Sequence, residues 1–357
     1  MTAVLMNDID LKDVAQWTPI GNGTFAATTA VSTPSGAAFE GTFDGQGYAL
    51  RNLKMEAALT GDNQAYGLFG VLKGATVKNL VLGAENGDTG SFKVSGNGVT
   101  STGVIAGASV ESTIEECTSY LPMECLGNGA SNKLMTMGLV GFVYGAGTSD
   151  ETVTKLIGLK NYGAMKAVPG AANTNGFTST QAGCIAGVSN TSRTSTFRNL
   201  ITRCANYGDM TVSTGRASGI VAAANTFTVV SECENHGDML NTYGESGGGR
   251  LGNITCILGT SSVVDGCTNY GDIVATNAKT HAGGLVCLTN SADSEVVNSA
   301  NYGNVITDLA TYRGTLVANI NNGAKLDNNT AGGGVGSYNG GNYVMVQCPV
   351  LKKVYSD

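Results

Sequence analysis

Proline is scarce in this chain, with 5 among 357 residues. Tryptophan occurs once, and histidine only as His236 and His281. Two histidines leave little for the metal and triad chemistry that usually recruits imidazole. Charge is thin as well: Asp, Glu, Lys and Arg make up 13 % of residues, for a net charge of −7. No run of Lys or Arg forms the basic stripe that a nucleic-acid binder needs. The longest apolar runs, Gly138 to Tyr144 and Gly219 to Ala224, fall far short of the roughly 18 residues that span a bilayer. The opening Met1-Thr-Ala-Val-Leu-Met-Asn-Asp lacks the basic and apolar regions of a signal peptide and reads as a strand. The expectation is a piece of a longer exported protein, sited outside the cell or on its outer surface. No C-x-x-C occurs and the nine cysteines are odd in number, which excludes a fully paired disulfide framework and a zinc ribbon. Cys117 and Cys125 are the pair best placed to bridge, because Leu121-Pro122 can turn the chain between them.

Glycine is in excess: 52 residues, about 15 % against a usual level of about 7 %. Each costs a helix roughly 1 kcal/mol relative to alanine. Hydrophobic residues still reach 42 %, too many for a disordered linker, and no Gly-every-third spacing marks collagen. What remains is an all-β chain of many short strands and many turns.

Internal repetition carries the main signal. Asn-Tyr-Gly begins at Asn161, Asn206, Asn269 and Asn301, and Asn-His-Gly at Asn235. Upstream lies an apolar residue, two spacers, then Leu or Cys: Leu50/Leu53, Val77/Leu80, Ile114/Cys117, Leu156/Leu159, Ile201/Cys204, Val230/Cys233 and Val264/Cys267, with Val296/Ser299 a weaker copy. Earlier still is a small apolar strand, as in Gly67-Leu-Phe-Gly, Gly103-Val-Ile-Ala-Gly, Gly138-Leu-Val-Gly and Gly284-Leu-Val-Cys. Such units cannot bury their apolar faces alone, but stacked in register they can. Parallel crossovers are overwhelmingly right-handed. The pattern therefore predicts a right-handed parallel β-helix, a solenoid of about eight to nine coils with loop insertions. It forms one domain over 1–357, with N-terminal coils in 1–66, repeat coils in 67–327 and closing strands in 328–357. Residues three apart, such as Val230 and Cys233, face inward together only if a bend lies between them. Pro349, Lys352 and Lys353 are expected to cap the final strand pair against edge association.

Each recurring column has a chemistry. Cys117, Cys204, Cys233 and Cys267 alternate with Leu53, Leu80 and Leu159, and Cys256 and Cys287 with Gly141, Ala186 and Ala222. They read as buried free thiols, with a metal or redox ladder as the alternative. Asn161, Asn206, Asn235, Asn269 and Asn301 sit at a sharp turn and are expected to form an amide ladder, the Gly that follows the aromatic supplying positive φ. Tyr162, Tyr207, His236, Tyr270 and Tyr302 form an aromatic column. It offers either a strip on which sugar rings stack or rings that stack on one another. Asp209, Asp238 and Asp272, with Asn304, follow two residues later. Carboxylates so close repel, and they call for solvated turns or a cation such as Ca²⁺. No other cofactor is implied.

The first seventy residues are more specific. They read Trp17-Thr-Pro-Ile-Gly, Phe39-Glu-Gly-Thr-Phe-Asp-Gly-Gln-Gly-Tyr-Ala-Leu-Arg-Asn-Leu, Gly67-Leu-Phe-Gly and Ala75-Thr-Val-Lys-Asn-Leu. This resembles the GLUG-type repeat proteins of bacterial cell surfaces, which include adhesin-like proteins and portions of immunoglobulin-cleaving peptidases. The later Cys-x-Asn-Tyr-Gly units look like the degenerate repeats of the same proteins, so the resemblance covers most of the chain. The family usually reads Phe-Asp-Gly-Asn-Gly-His-Thr-Ile, where this chain has Gln46, Tyr48, Ala49 and Leu50. The resemblance implies an exported, surface-exposed β-helical module and supplies no catalytic centre.

Three functions follow. A non-catalytic, adhesin-like module would contact glycans or surface proteins through loops, for which Glu85 to Gly98, Leu121 to Met137, Ala167 to Gln181 and Asn241 to Arg250 are the candidates. A polysaccharide lyase or glycosidase needs acidic groups on one face. The pairs Glu115/Glu116 and Glu232/Glu234 belong to different coils, and Asp44 reads as a turn residue. A passive stalk, or a phage tail or fibre component, needs only the stack.

Overall fold

The computed structural model describes residues 1–24, 36–96, 98–127, 135–169, 180–192, 195–213, 215–242, 249–276, 280–307, 312–320, 323–339 and 342–346. Four sheets run along the stack, three of ten strands and one of fourteen. Each repeat turn visits them in the same order. One turn lays Asn199–Thr202 on the first face, Ala205–Asn206 on the second, Met210–Val212 on the third, and Arg216–Ser218 with Val221–Thr226 on the fourth. Thr228–Ser231 then opens the next turn, parallel to and in register with Asn199–Thr202. The molecule is a parallel β-helix. The first and second faces hold ten strands each, more than the repeat count, because the first turn, with Thr2–Val4 and Ile9–Asp10, carries none of the repeat's landmarks. Among the described residues, helical structure is limited to 3₁₀ turns such as Asp150–Thr152, and no helix is long and apolar enough to cross a membrane.

Between the first and second faces the chain bends at one residue in the left-handed region. These are Asn79, Glu116, Gly158, Arg203, Glu232, Gly266 and Asn298, with φ between 49° and 66°. That single residue lets positions three apart both face inward, so Val230 and Cys233 are each fully buried. It also explains the cysteines. The thiol after the bend donates to the carbonyl two residues back, as Cys117 does to Glu115 (3.2 Å) and Cys233 to Ser231 (3.2 Å). In the weaker copy the Ser299 hydroxyl makes the same bond to Val297 at 2.8 Å. A small side chain with a weak donor fits both the core and the bend.

Three expectations need correction. Cys117 and Cys125 are free thiols on different faces: Cys117 lies at the bend, while Cys125 sits in Met123–Gly127 on the third face, 3.2 Å from Met135 Sδ. Phe43 rather than Leu50 pairs with Val77, and Leu50 pairs with Leu82 on the second face. The Gly-rich turn after Asp44 lengthens that bend, so Leu50 and Leu53 flank the following corner. On the fourth face the in-register partner of Ala222 is Gly187, because Ala186 pairs with Val221.

Inside the third face runs a column that the repeat search did not isolate: Met55, Phe92, Met123, Met165, Met210, Met239, Ile273, Val305 and Val335, each paired in register with the next. All are nearly or fully buried. Unbranched thioethers adapt to neighbours above and below, which suits a column crossed by turns of unequal length. At the N-terminal end, Trp17 Nε1 donates to Leu68 O at 3.2 Å, and Ile20 and Phe39 bridge to Phe69 and Leu72. These contacts cover the open edge of the fourth face. At the other end, Asn342–Val346 folds back antiparallel on Val335–Asn339 and closes the third face. The cap residues Pro349, Lys352 and Lys353 lie outside the described residues.

Two outcomes test this packing. Glu232→Gly removes a side chain from the left-handed region, where L residues are disfavoured by roughly 1–2 kcal/mol. Urea unfolding is expected to show a gain of up to about 1 kcal/mol after the entropic cost of glycine. In a Cys348→Ser chain, the remaining thiols should resist Ellman's reagent until the chain unfolds, since burial pushes Cys117 and Cys125 up to about 12. Rapid native labelling of Cys117 or Cys233 would contradict the buried bend.

Candidate functional site

The corner between the second and third faces is built from the Asn-aromatic-Gly units. Asn161, Asn206, Asn235, Asn269 and Asn301 are buried. Nδ2 of each of the first four donates to Oδ1 of the asparagine one turn on, at 2.8, 2.9, 2.8 and 2.7 Å from Asn161 to Asn301. The same nitrogens also donate to the carbonyl two residues on, as Asn235 does to Gly237 at 2.9 Å. Ser119 occupies the rung before Asn161, and Asn161 Oδ1 is left buried without a partner.

The glycines of this corner do not supply positive φ: Gly163, Gly208, Gly237, Gly271 and Gly303 are absent from the left-handed region. Their role is steric. A Cβ on Gly271 would run into the carbonyl oxygen of Gly237, and one on Gly237 into that of Gly208. Successive turns touch backbone to backbone here.

The aromatic column begins one turn before the repeat unit, at Tyr120. Stacked ring pairs run Tyr120–Tyr162 (4.9 Å), Tyr162–Tyr207 (4.7 Å), Tyr207–His236 (4.7 Å), His236–Tyr270 (4.7 Å) and Tyr270–Tyr302 (5.6 Å), with interplanar angles no greater than 19°. Gly332 covers the outer end, because a Cβ there would press on the Tyr302 ring. Tyr162, Tyr207, Tyr270 and Tyr302 remain 39–51 % exposed. What they expose is ring edges, because the faces cover one another. A sugar that stacks on an aromatic needs a free face, so this column acts as a sheath for the corner.

The aspartates are engaged in the same way along the stack. Asp209 Oδ1 accepts the backbone N–H of Asp238 (2.9 Å), Asp238 that of Asp272 (2.8 Å), and Asp272 that of Asn304 (2.7 Å). Each amide hydrogen bond offsets the repulsion between neighbouring carboxylates. Among the described residues no three His, Cys, Asp or Glu side chains come together as a metal site. Asp44 is also a turn residue. Its carboxylate accepts from Gln46 N–H at 2.9 Å and Asn79 Nδ2 at 3.1 Å, which hold it below the usual carboxylate range.

Two other surfaces offer room for a ligand. On the third face a groove of about 440 Å³ is lined by Phe92, Lys93, Pro122, Met123, Glu124, Lys166 and Asp209, among others. Its charges are paired across turns, Glu124 with Lys166 at 2.9 Å and with Lys93 at 3.7 Å. The hydrogen bond from Lys166 holds the Glu124 carboxyl below its ordinary value. Turns differ in length at the edge between the third and fourth faces, and also between the fourth and the first, where the connection is 146–154 in one turn and 227 alone in another. In successive turns 128–134, 170–179, 213–215, 242–249, 276–280 and 307–312 separate the strand of the third face from that of the fourth, and those strands stay in register. The core segments of the candidate loops at Leu121 to Met137, Ala167 to Gln181 and Asn241 to Arg250 lie outside the described residues. Glu85 to Gly98 belongs instead to the second and third faces, and includes Ser91–Gly96.

The acidic pairs do not assemble a reaction centre. Glu116 reaches over Gly158 toward Arg203, 3.9 Å away, and Glu234 bonds His236 at 2.9 Å. Glu232 lies at its own turn's bend.

No family model matches this chain, and no curated protein matches it. Among solved structures, it is similar to a Bacteroides ovatus protein provisionally identified as an immunoglobulin A1 protease. The TM-score is 0.49 at 13 % identity, over 91 % of this chain and 77 % of that one.

The corner yields a paired test. Ser119→Asn places an amide below Asn161, where Nδ2 meets the orphaned Oδ1 and Oδ1 accepts the Leu121 N–H now held by Ser119. A gain of about 1 kcal/mol is expected in urea unfolding. Asn235→Leu leaves the amides of Asn206 and Asn269 short of a partner and is expected to cost about 3 kcal/mol or more. Equal stabilities for the two variants would contradict the ladder.

Proposed function

We propose that this protein is a non-catalytic binding module, exported and displayed on a cell surface, that contacts glycans or surface proteins in an adhesin-like way. The observation that carries the reading is the edge between the third and fourth faces. There, connections as short as 213–215 and as long as 170–179 leave in-register strands one above another. The corner between the second and third faces, by contrast, is closed by amide bonds repeated turn after turn from Asn161 to Asn301. Recognition tends to sit on loops held by a rigid scaffold, and connections of variable length on a regular stack are that arrangement. The GLUG-type resemblance of Phe39 to Leu53 supports the surface setting. The low charge and the lack of basic runs support a saccharide or protein ligand over nucleic acid.

A glycan and cell-surface protein array tests the reading, using the full chain and two variants in which 170–179 or 242–249 is shortened to the length of 213–215. Specific binding by the full chain is expected, lost on shortening with the melting midpoint kept within a few degrees. An empty array, or ligands retained by both shortened variants, contradicts it. So does turnover of a polysaccharide.

A further inference from the structure

The outward side chains of the third face form columns, and one of them is a ladder of alternating charge. Glu56, Lys93, Glu124 and Lys166 pair in register, and Thr211 follows Lys166. The neighbouring column, toward the corner with the second face, is set by backbone hydrogen bonds. Phe92 N–H donates to Pro122 O at 2.9 Å, Met123 N–H to Ala164 O at 2.8 Å and Met165 N–H to Asp209 O at 2.8 Å. Ser91, Pro122, Ala164 and Asp209 therefore stand one above another. The first three are short, and Asp209 opens the acidic run that continues in Asp238 and Asp272. The groove of about 440 Å³ lies where the short column meets the charged ladder, and its lining comes from four successive turns.

Pro122 and Ala164 give the groove apolar ground, and hydrogen-bonding groups surround it. Glu124 is held between Lys166 at 2.9 Å and Lys93 at 3.7 Å, so donors and acceptor alternate turn by turn. Asp209 spends Oδ1 on the Asp238 N–H, a bond in which Oδ2 takes no part. Apolar ground with a few placed polar groups is the form of a small-ligand site. The charges of the lining cancel, Lys93 and Lys166 against Glu124 and Asp209. An ionic ligand gains nothing over a neutral one, whereas a polyol, which both donates and accepts, finds charge-assisted partners of each kind.

The period selects further. Successive turns stand 4.7 Å apart at the rings of Tyr162 and Tyr207. An extended peptide laid along the stack advances about 3.3 Å per residue and falls out of step. An extended β-linked glycan advances close to one turn per ring, with C–H faces for the apolar ground and hydroxyls for the charged ladder.

We propose that this groove is a subsite for a neutral glycan segment lying along the stack, one ring to a turn, its hydroxyls bonded by Lys93, Glu124, Lys166 and Asp209. The ligand class rests on the binding role proposed above; the place and period of the groove do not. The strands beneath it, Met123–Gly127 and Met165–Pro169, run on toward 128–134 and 170–179, so a branched glycan can engage groove and variable edge together.

The test follows backbone amide signals of the full chain by NMR. The probes are neutral β-linked oligosaccharides of increasing length in the glucose, mannose, galactose and N-acetylhexosamine series, their uronate counterparts, and a peptide alternating Lys and Glu. At least one neutral series is expected to shift the amides of Lys93, Glu124 and Lys166, with affinity rising to four rings and then levelling. Uronates should bind no more than about twofold tighter. Ala164→Tyr fills the groove without touching a charge and should abolish the shifts. Glu124→Gln with Lys166→Gln keeps the net charge and should weaken binding about tenfold. Ala164 and Lys166 are exposed, so melting midpoints should hold within a few degrees. No shift from any saccharide overturns the subsite. So does binding undiminished in both variants, or shifts from the peptide alone. A silent groove beside array ligands that are lost on shortening 170–179 or 242–249 would remove the subsite and leave the edge's binding role standing. Short oligosaccharides held at the groove, with no array ligand lost on shortening, would do the reverse.

Discussion

The structure depends on how one turn is held over the next at the corner between the second and third faces. Parallel strands hydrogen-bond equally well after a slip of two residues, so backbone pairing alone does not fix register. Here the corner fixes it. The glycines of successive turns meet backbone to backbone with no room for a Cβ, and the neighbouring asparagine bonds both its own turn and the next. A slipped turn loses the amide bond and drives a side chain into a carbonyl. Both penalties act at the same place, which makes the native register the only one that satisfies the corner.

With register set there, each column elsewhere keeps one environment along the stack. The bend accepts Leu, Cys or Ser because it asks for a side chain that fits the core, and Cys and Ser also donate to the carbonyl two residues back. The third face accepts methionine repeatedly because a flexible thioether tolerates the unequal turns above and below. The aromatic and aspartate columns cover the outside of the same corner, their ring faces and carboxylate oxygens engaged along the axis. Variation in length falls at both ends of the fourth face, where it joins the third face and where it joins the first. The basic column of the fourth face, Arg216, Arg250 and His281, begins at its edge with the third, and in the column Gly107, Gly141, Gly187, Ala222, Cys256 and Cys287 glycine gives way to alanine and cysteine along the stack.

The architecture was legible in the sequence because the corner demands residues that stand out. Asn161, Asn206, Asn235, Asn269 and Asn301 mark it, and the three-residue spacing to Cys204 or Cys233 implied the bend that Arg203 and Glu232 make. What escaped has physical causes. The corner glycines were assigned to backbone freedom when their constraint is an inter-turn contact, which no single turn's sequence displays. Leu50 and Leu53 imitate the repeat spacing, but the Gly-rich turn before them shifts the register. The methionine column hid in plain spacing: Met165, Met210 and Met239 each stand four residues after a corner asparagine, a regularity visible once the corner is the origin. Arg216, Arg250 and His281 gave no signal, because they follow connections of different length and align only in the fold.

Hydrogen exchange of the asparagine side-chain amides tests the corner most directly. With asparagine selectively labelled, NMR should find carboxamide protons of Asn206, Asn235 and Asn269 exchanging as slowly as backbone amides of the buried strands, since each is shared between two turns. Exchange of those protons at the rate of exposed amides, while the strands remain protected, would contradict the claim that the corner holds the register.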